Sequence, residues 1–157
     1  MDISTLNKSN KDYCPEMHTA EHILNQTMVR TFGCRRSQNA HIERKKSKCD
    51  YFLPEDPGAE RLAEVERKVN EIIAGNLPVT IEYVERENAA QWVDLSKLPA
   101  EASDTIRIVK VGDYDTCACI GEHVKNTSEI GEFHFLNCEF NQGRLRVRFK
   151  VSGGGQA

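Results

Sequence analysis

The sequence lacks long apolar runs and a strong net charge. No stretch of its 157 residues approaches the roughly 20 apolar residues that a membrane-spanning helix needs. Residues 1–13 are polar and contain no apolar core of a secretory signal. With 21 basic and 24 acidic residues the formal charge is −3, so the molecule as a whole does not attract polyanions. We therefore expect no membrane association, and any contact with nucleic acid must use local basic patches.

The sequence also lacks the features of an exported, disulfide-stabilised protein. It has six cysteines, but the chain is long, and its 39% apolar and 29% charged residues are ordinary for a domain with its own core. Reduced thiols or metal ligands are the better interpretation of such cysteines. We expect a cytoplasmic protein.

No internal repeat divides the chain, and its length fits one domain of the usual size, about 100–200 residues. We predict a single domain over residues 1–157. Residues 1–13 and the glycine-rich residues 152–157 are expected to be flexible ends.

Hydrophobic periodicity predicts two main helices. The first begins at Pro15, which suits the first helical position, and runs to about Thr31, before a closing glycine. The second runs from Asp56-Pro57 to Gly75 and has one apolar face. That face is formed by Leu62, Val65, Val69, Ile72 and Ile73.

Alternating and β-branched stretches predict strands in the rest of the chain. They lie within 34–53, at 79–83, at 106–111, and in a final pair at 133–140 and 145–151. A short helix over 86–92 and a loop through Pro99 separate the second and third of these regions. Segregated helices and hairpin-linked strands predict an α+β fold, with an antiparallel-rich sheet and helices packed on one face.

Two pairs of potential metal ligands stand far apart in the chain. His18 and His22 are four residues apart on the first helix, so both imidazoles lie on one face and can share an ion. Cys119 and His123 repeat this spacing. Either pair alone often binds no metal, but both together in a chain with five histidines indicate a site. Imidazole and thiolate ligands in a tetrahedral set indicate zinc, Zn²⁺.

Other interpretations of these residues stay open. His18-Thr19-Ala20-Glu21-His22 also fits the pattern of inverted zinc peptidases, in which the glutamate is the general base. That interpretation ranks last, because it needs a carboxylate as third ligand and leaves the second pair unused. Four protein ligands are also typical of a closed, structural zinc site. Candidates to orient a ligand or a water are Glu21, Asp115 and Glu122, although each could equally be a surface acid.

The ligand pairs and their surroundings resemble the editing module of alanyl- and threonyl-tRNA synthetases, called their second additional domain. The resemblance includes the first histidine pair, residues 111–115, the Cys119-x-x-x-His123 pair and residues 126–131. The second helix and residues 143–147 also fit, so roughly the whole chain is covered in the family's order. One departure is Glu122, where many members have threonine, and an acidic side chain there could alter how substrate or water is held.

The resemblance implies a short, free-standing protein of the AlaX type, since an aminoacylation domain would not fit in this length. Such proteins hydrolyse the ester of mischarged tRNA in trans. Their chief substrate is alanine-specific tRNA that carries serine, and in some members it is glycyl-tRNA. The implied activity is a zinc-dependent aminoacyl-tRNA deacylase that serves translation fidelity. Its implied partner is the acceptor end of mischarged tRNA, and no protein partner is predicted. Editing of seryl-tRNA for threonine and a non-catalytic, zinc-structured tRNA-binding module are the alternatives.

A site that cleaves serine and rejects alanine must hydrogen-bond the serine hydroxyl. Ser37, Asn39 and His41 are expected on one face of a strand, and Thr19 follows the first ligand. Asn39 is the preferred candidate, because it lies in the region where the family contacts the substrate side chain. Ordinary surface polarity is the simpler interpretation of each of these residues.

Two basic groups are candidates for contact with tRNA phosphates. The first follows the opening helix and includes Arg35, Arg36, Lys45 and Lys46. The second alternates with apolar residues along the last strand and consists of Arg144, Arg146 and Arg148. Such a one-sided ladder is usually a solvated sheet face, but beside an editing site phosphate contact becomes the better interpretation.

Overall fold

The structure, a computed structural model, describes residues 14–89 and 105–153. Its helices are α1 (Pro15–Phe32), α2 (Gly58–Ala74) and the short α3 (Arg86–Ala89), with a 3-10 turn at Thr127–Ile130. Its strands are β1 (Asn39–His41), β2 (Ser47–Phe52), β3 (Val79–Glu85), β4 (Thr105–Val111), β5 (Asp115–Ala118), β6 (Phe133–Asn141) and β7 (Arg144–Val151).

Helix α1 has the ends that the sequence predicts. Pro15 occupies the first turn, where its missing N–H leaves no hydrogen bond unmade. Gly33 closes the helix in the left-handed conformation, with φ of 69°, and its N–H donates to the carbonyl of Val29. Buried positions on this helix include the polar side chains of Glu21 and His22. Buried polar groups need internal partners, so the helix carries part of a polar site into the interior.

Helix α2 is amphipathic, as the spacing predicts. Leu62, Val65, Val69 and Ile73 are buried, and the helix packs against α1 and β6. Asn70 ties the helix to β6, since its side chain both donates to the carbonyl of Phe133 and accepts from the N–H of that residue. The helix therefore holds the edge of the sheet as well as the core.

The strands form two antiparallel sheets, in the orders β1-β2-β7-β6 and β3-β4-β5. The predicted α+β class and antiparallel pairing are confirmed. The expectation of one sheet is corrected to two, because alternation of apolar residues identifies a strand and its buried face but not its partner. Strand β5, which no sequence pattern predicted, pairs with β4 and leads directly into the second pair of ligands.

The main core lies between α1, α2 and the four-stranded sheet. The apolar residues of β7, which are Leu145, Val147, Phe149 and Val151, are all buried in it. The arginines between them lie on the opposite face of β7, where they are only partly covered. Each buried aliphatic or aromatic side chain contributes about 1.5–3 kcal/mol, so this alternation fixes which face of the sheet meets the helices.

The hydrogen-bonded chain extends to Gly153. The N–H of Ser152 donates to the carbonyl of Glu132, and the N–H of Gly153 donates to that of Ile130. Both residues thus lie inside the segment 152–157 that we predicted to be a flexible end. The rest of both predicted ends, the predicted helix beyond Ala89 and the loop through Pro99 lie outside the described residues. No helix within the described ranges is long and apolar enough to cross a membrane.

Candidate metal centre

Two distant segments bring the four predicted ligands together. His18 and His22 lie on α1, and Cys119 and His123 lie in the loop after β5. Their ligand atoms are all within 4.8 Å of one another. Cys119 Sγ is 3.3 Å from His18 Nε2 and 3.5 Å from His123 Nε2. Zinc bonds of about 2.3 Å to sulfur and 2.0 Å to nitrogen give a tetrahedral N···S edge of about 3.5 Å. These two distances are close to that edge, so the group could hold a metal ion and is compatible with zinc.

The loop that carries Cys119 is held by the neighbouring strand β4. The guanidinium of Arg107 donates to the carbonyls of Cys119 at 2.9 Å and Gly121 at 2.7 Å. The N–H of Cys119 in turn donates to the carbonyl of Arg107. Because the bonds involve backbone atoms on both sides of the turn, they set the path of the chain between the two ligands.

Thr19 orients the ring of His123. Its Oγ1 lies 2.9 Å from His123 Nδ1 and 2.9 Å from the carbonyl of Pro15, and it accepts from the N–H of Val124 at 3.2 Å. A hydroxyl has one proton, and the Pro15 carbonyl can only accept it. His123 Nδ1 must then be the donor to Thr19, which leaves Nε2 with a free lone pair directed at Cys119.

The other two histidines have their second nitrogens placed in a comparable way. His18 Nδ1 lies 3.2 Å from the carbonyl of Glu122. His22 Nδ1 is buried and makes no hydrogen bond within the described residues, but it lies 3.6 Å from Asp115 Oδ2, within ion-pair distance. Carbonyl, carboxylate and hydroxyl partners on the far nitrogen are what metal-binding histidines normally have, because they fix the tautomer and the ring orientation.

Asp115 is fixed by Arg36. The guanidinium donates to both carboxylate oxygens, at 2.6 and 3.2 Å, and the Asp115 side chain is fully buried. Burial opposes the charge, but the contacts with His22 and Arg36 hold the pKa of this carboxyl below its usual value. Arg36, which is partly exposed, Asp115 and His22 therefore form one chain of contacts that leads inward to the candidate metal ligands.

The electrostatics favour the metal-binding protonation states of Cys119 and His123 and oppose that of His22. Burial alone would raise the pKa of the Cys119 thiol, but the charge of His22 and hydrogen bonds with His123 and His18 hold that pKa well below its usual value. Burial lowers the pKa of His123 to about 3. For His22, burial is outweighed by Cys119 and Asp115, which hold the pKa well above its usual value. A thiolate and neutral imidazoles are the binding forms, and the anionic surroundings of His22 favour a positive charge there.

A cavity of about 400 Å³ adjoins the ligands His18, His22 and Cys119. Its other walls include the apolar side chains of Val29 and Ala118. Of the described residues that line it, Glu21 alone has a carboxylate. The volume lies in the range of small-ligand sites, so the ligand group has room beside it for a small polar molecule.

Two of the four residues predicted to read a hydroxyl are fully buried. The Thr19 hydroxyl oxygen accepts a hydrogen bond from His123 Nδ1, as described above. Ser37 precedes β1, and its Oγ accepts from the N–H of Asp50. The expectation that Ser37 shares one strand face with Asn39 and His41 is therefore corrected, because the strand begins only at Asn39.

Asn39 and His41 are exposed on β1. The amide of Asn39 donates to Asp50 Oδ2, and His41 pairs with Glu43 at 3.0 Å. The described residues that line the cavity include neither of them, nor Thr19 or Ser37. A substrate-binding role for these side chains stays a prediction, and Arg35, Arg36 and Gln38 are the polar residues from this region that do reach the cavity.

The predicted tRNA contacts fall into two kinds. Lys45 and Lys46 are exposed, and Arg35 lies at the cavity. The others for which partners are described are engaged within the protein: Arg36 with Asp115, Arg146 with Asp50 at 2.8 Å, and Arg148 with Asn137 and Glu139. Arg144 is partly exposed at the start of β7. The first basic group therefore offers the stronger local attraction for phosphates.

Sequence reasoning missed the roles of Arg107 and Asn25. Arg107 holds the ligand loop, and Asn25 joins Glu21 to the sheet through Tyr51 and Ser37. Asn25 is one helical turn after Glu21, a spacing that places both on one face and could have indicated the contact. No local signal indicates Arg107, since its partners depend on how β4 and β5 pair.

Fold and site together define a class: an α+β domain in which a histidine–cysteine ligand group adjoins a small cavity. Residues 106–149 match the family described as the threonyl and alanyl tRNA synthetase second additional domain. The matched segment contains Cys119 and His123 and begins in β4.

Alanine–tRNA ligases are similar to this chain over most of its length. That of Methanococcus maripaludis is 30% identical over 154 residues, 96% of this chain and 17% of the ligase. That of Treponema denticola is 32% identical over 117 residues, 74% of this chain and 20% of the ligase. That of Mycoplasmoides gallisepticum is 31% identical over 139 residues, 86% of this chain and 15% of the ligase.

The chain thus spans between 15% and 20% of the length of these ligases. The family match and the relatives confirm the resemblance found in the sequence: the chain carries an AlaX-like domain of the synthetase second-additional-domain family.

Proposed function

We propose that the protein is a zinc-dependent deacylase that hydrolyses the ester of mischarged tRNA in trans. The first proposed substrate is alanine-specific tRNA wrongly charged with serine. The second is the same tRNA wrongly charged with glycine. The main support is the cavity of about 400 Å³ beside three of the four ligands, which has room for a small aminoacyl group. Similarity to alanine–tRNA ligases supports the choice of tRNA.

The chain's own residues prepare the site for this reaction. Thr19, the Glu122 carbonyl and Asp115 hold the three imidazoles, so the donor atoms need little reorganisation. A zinc ion held by these ligands would supply a Lewis acid for the ester carbonyl and for the charge that develops on its oxygen.

A zinc-structured module that binds tRNA without cleaving it is the second candidate. The observation that favours it is the count of four protein ligands, which fill a tetrahedral set. The inverted-peptidase interpretation is disfavoured, because Cys119 and His123 complete the ligand group without a carboxylate. Hydrolysis of serine from threonine-specific tRNA would use the same residues of the site. It differs from the proposed reaction only in the tRNA that is bound.

The test supplies zinc-loaded protein with seryl-, glycyl-, threonyl- and alanyl-tRNA and follows loss of the ester. We expect seryl-tRNA for alanine to be hydrolysed at least about 100-fold faster than correctly charged alanyl-tRNA, as a site that hydrogen-bonds a hydroxyl allows. Chelator-treated protein is the control. If every mischarged species is as stable with the zinc-loaded protein as in buffer, the deacylase is excluded. Tight tRNA binding in that case would identify the non-catalytic module.

Replacement of Lys45 and Lys46 by glutamine should weaken tRNA binding to a similar extent for every tRNA tested. These side chains are exposed, so they can contact phosphates but not the aminoacyl group. For each lost phosphate contact, the slope of log affinity against log salt should fall by about 0.7–0.9. As a control, Lys68→Gln removes one positive charge from α2, where the lysine pairs with Glu71, and should leave the slope unchanged. An unchanged slope in the double variant would remove these lysines from the interface.

A further inference from the structure

Glu21 lies on α1 directly before the ligand His22, and it lines the cavity. The residue is only 8% exposed. Its Oε1 is 3.8 Å from His18 Nε2, the nitrogen that also faces Cys119. The carboxylate is therefore placed beside the reacting position rather than on the outer surface of the helix.

The fold fixes the orientation of this carboxylate through Asn25. Asn25 Oδ1 accepts from the hydroxyl of Tyr51 at 2.7 Å and from the N–H of Ser37 at 3.2 Å. With its oxygen engaged by two donors, Asn25 must direct its NH₂ group to Glu21 Oε2, at 2.9 Å. Asn25 and Tyr51 are themselves buried. One carboxylate oxygen is thus held rigidly from the protein side.

The carboxylate has more acceptor capacity than Asn25 uses. An ionised carboxylate offers about four acceptor positions, and leaving buried acceptors unmatched costs free energy. Asn25 contacts Oε2, so the remaining acceptor positions include those of Oε1, on a residue that lines the cavity. A ligand group that donates several hydrogen bonds and carries positive charge would complement it best.

We propose that Glu21 binds the α-ammonium group of the aminoacyl ester and thereby restricts the protein to esters whose amino group is free. This inference rests on the proposed deacylase function. The ammonium brings three N–H donors and a positive charge, and Glu21 is the one carboxylate among the described cavity residues. N-acylated aminoacyl and peptidyl esters lack the charge and would leave the carboxylate without its partner.

Binding of inert amide analogues tests this directly. The probes are 3′-deoxyadenosine with a 3′-seryl amide, the same compound with an N-acetyl group, and the isostere with a hydroxyl in place of the α-amine. We expect the zinc-loaded wild-type protein to bind the free amine about 10- to 100-fold more tightly than either other probe, the range for a hydrogen bond to a charged group. In Glu21→Gln, which keeps the shape and can still accept from Asn25, the three affinities should converge.

Glu64→Gln is the matched control, because it removes the same charge from an exposed position on α2 and should retain the full preference. Zinc content and the thermal midpoint of Glu21→Gln are measured in parallel. The α-hydroxyl isostere gives a second, variant-independent measurement, since it compares charge at constant size in the wild-type protein.

Several outcomes would overturn the role of Glu21. Equal wild-type affinity for the amine and the hydroxyl isostere excludes charge recognition even if the variant fails to fold. A preference that persists in Glu21→Gln means that cavity size alone rejects the acetyl group. If the variant slows ester hydrolysis but keeps the binding preference, the residue acts in proton transfer instead. In each case hydrolysis of seryl-tRNA by the wild type leaves the deacylase proposal intact. A wild type that neither cleaves mischarged tRNA nor binds any probe overturns both proposals.

Discussion

A Cys119→Ala variant should lose its zinc, with an affinity more than about 100-fold below that of the wild type, and should lose deacylase activity with it. Cys119 Sγ is in contact with two of the three ligand histidines, and it is the anionic member of the group. Mutations that only touch the partners of metal ligands cost about 10- to 100-fold in affinity, so removal of a ligand should cost more.

Zinc affinity is measured by competition with a chromophoric chelator, and activity by ester loss from seryl-tRNA. Cys138→Ala is the matched control, since it removes a half-buried thiol from β6, on another part of the fold. The control should retain zinc and activity. A Cys119→Ala protein with wild-type zinc affinity would show that the ion is held elsewhere. Retained zinc with lost activity would instead assign the thiolate a direct part in the reaction.

An Asp115→Asn variant should be destabilised by about 3–5 kcal/mol, the usual effect of removing one partner of a buried ion pair. The Asp115 side chain is fully buried, and the change leaves the Arg36 side chain, which is 25% exposed, without its charged partner. The same change removes the carboxylate that lies against His22 Nδ1, so zinc affinity should fall by about 10- to 100-fold.

A second substitution separates these two effects. Adding Arg36→Met to Asp115→Asn removes the unpaired charge, so part of the free energy of unfolding should return. Zinc affinity should stay low, because His22 still lacks its carboxylate partner. Urea unfolding of the metal-free proteins measures the first quantity and chelator competition the second. If zinc affinity recovers together with stability, Asp115 acts on the site only through the general stability of the fold.

Local patterns in the sequence were sufficient for the two long helices and for identifying four residues that could hold a metal ion. A proline at the start and a glycine at the end bound α1, and apolar spacing identifies the buried face of α2. The four ligands are recognisable because spacing along a helix or a turn already places two side chains together, and two such pairs rarely occur by chance. The antiparallel α+β class follows from the order of elements for the same local reasons.

The roles of the polar side chains depend on contacts between segments that are remote in sequence. Thr19, predicted to bind substrate, holds His123, and Arg36, predicted to bind tRNA, holds Asp115. The local sequence around Thr19 or Arg36 is the same whether the side chain binds a ligand or contacts another part of the protein. It therefore cannot distinguish the two roles. The division of the strands into two sheets has the same origin, because strand partners are chosen by packing across the whole chain.

The sequence therefore specifies which atoms can hold a metal, since a ligand is defined by its chemistry and by short spacing. The fold alone places Glu21 at the cavity wall with Asn25 behind it, and brings one ring nitrogen from each of His18, His22 and His123 close to Cys119 Sγ. The physical reason is that hydrogen-bond direction and burial are properties of the packed chain. Residue type gives the capacity to donate, accept or bind a metal, and tertiary packing determines which partner uses it.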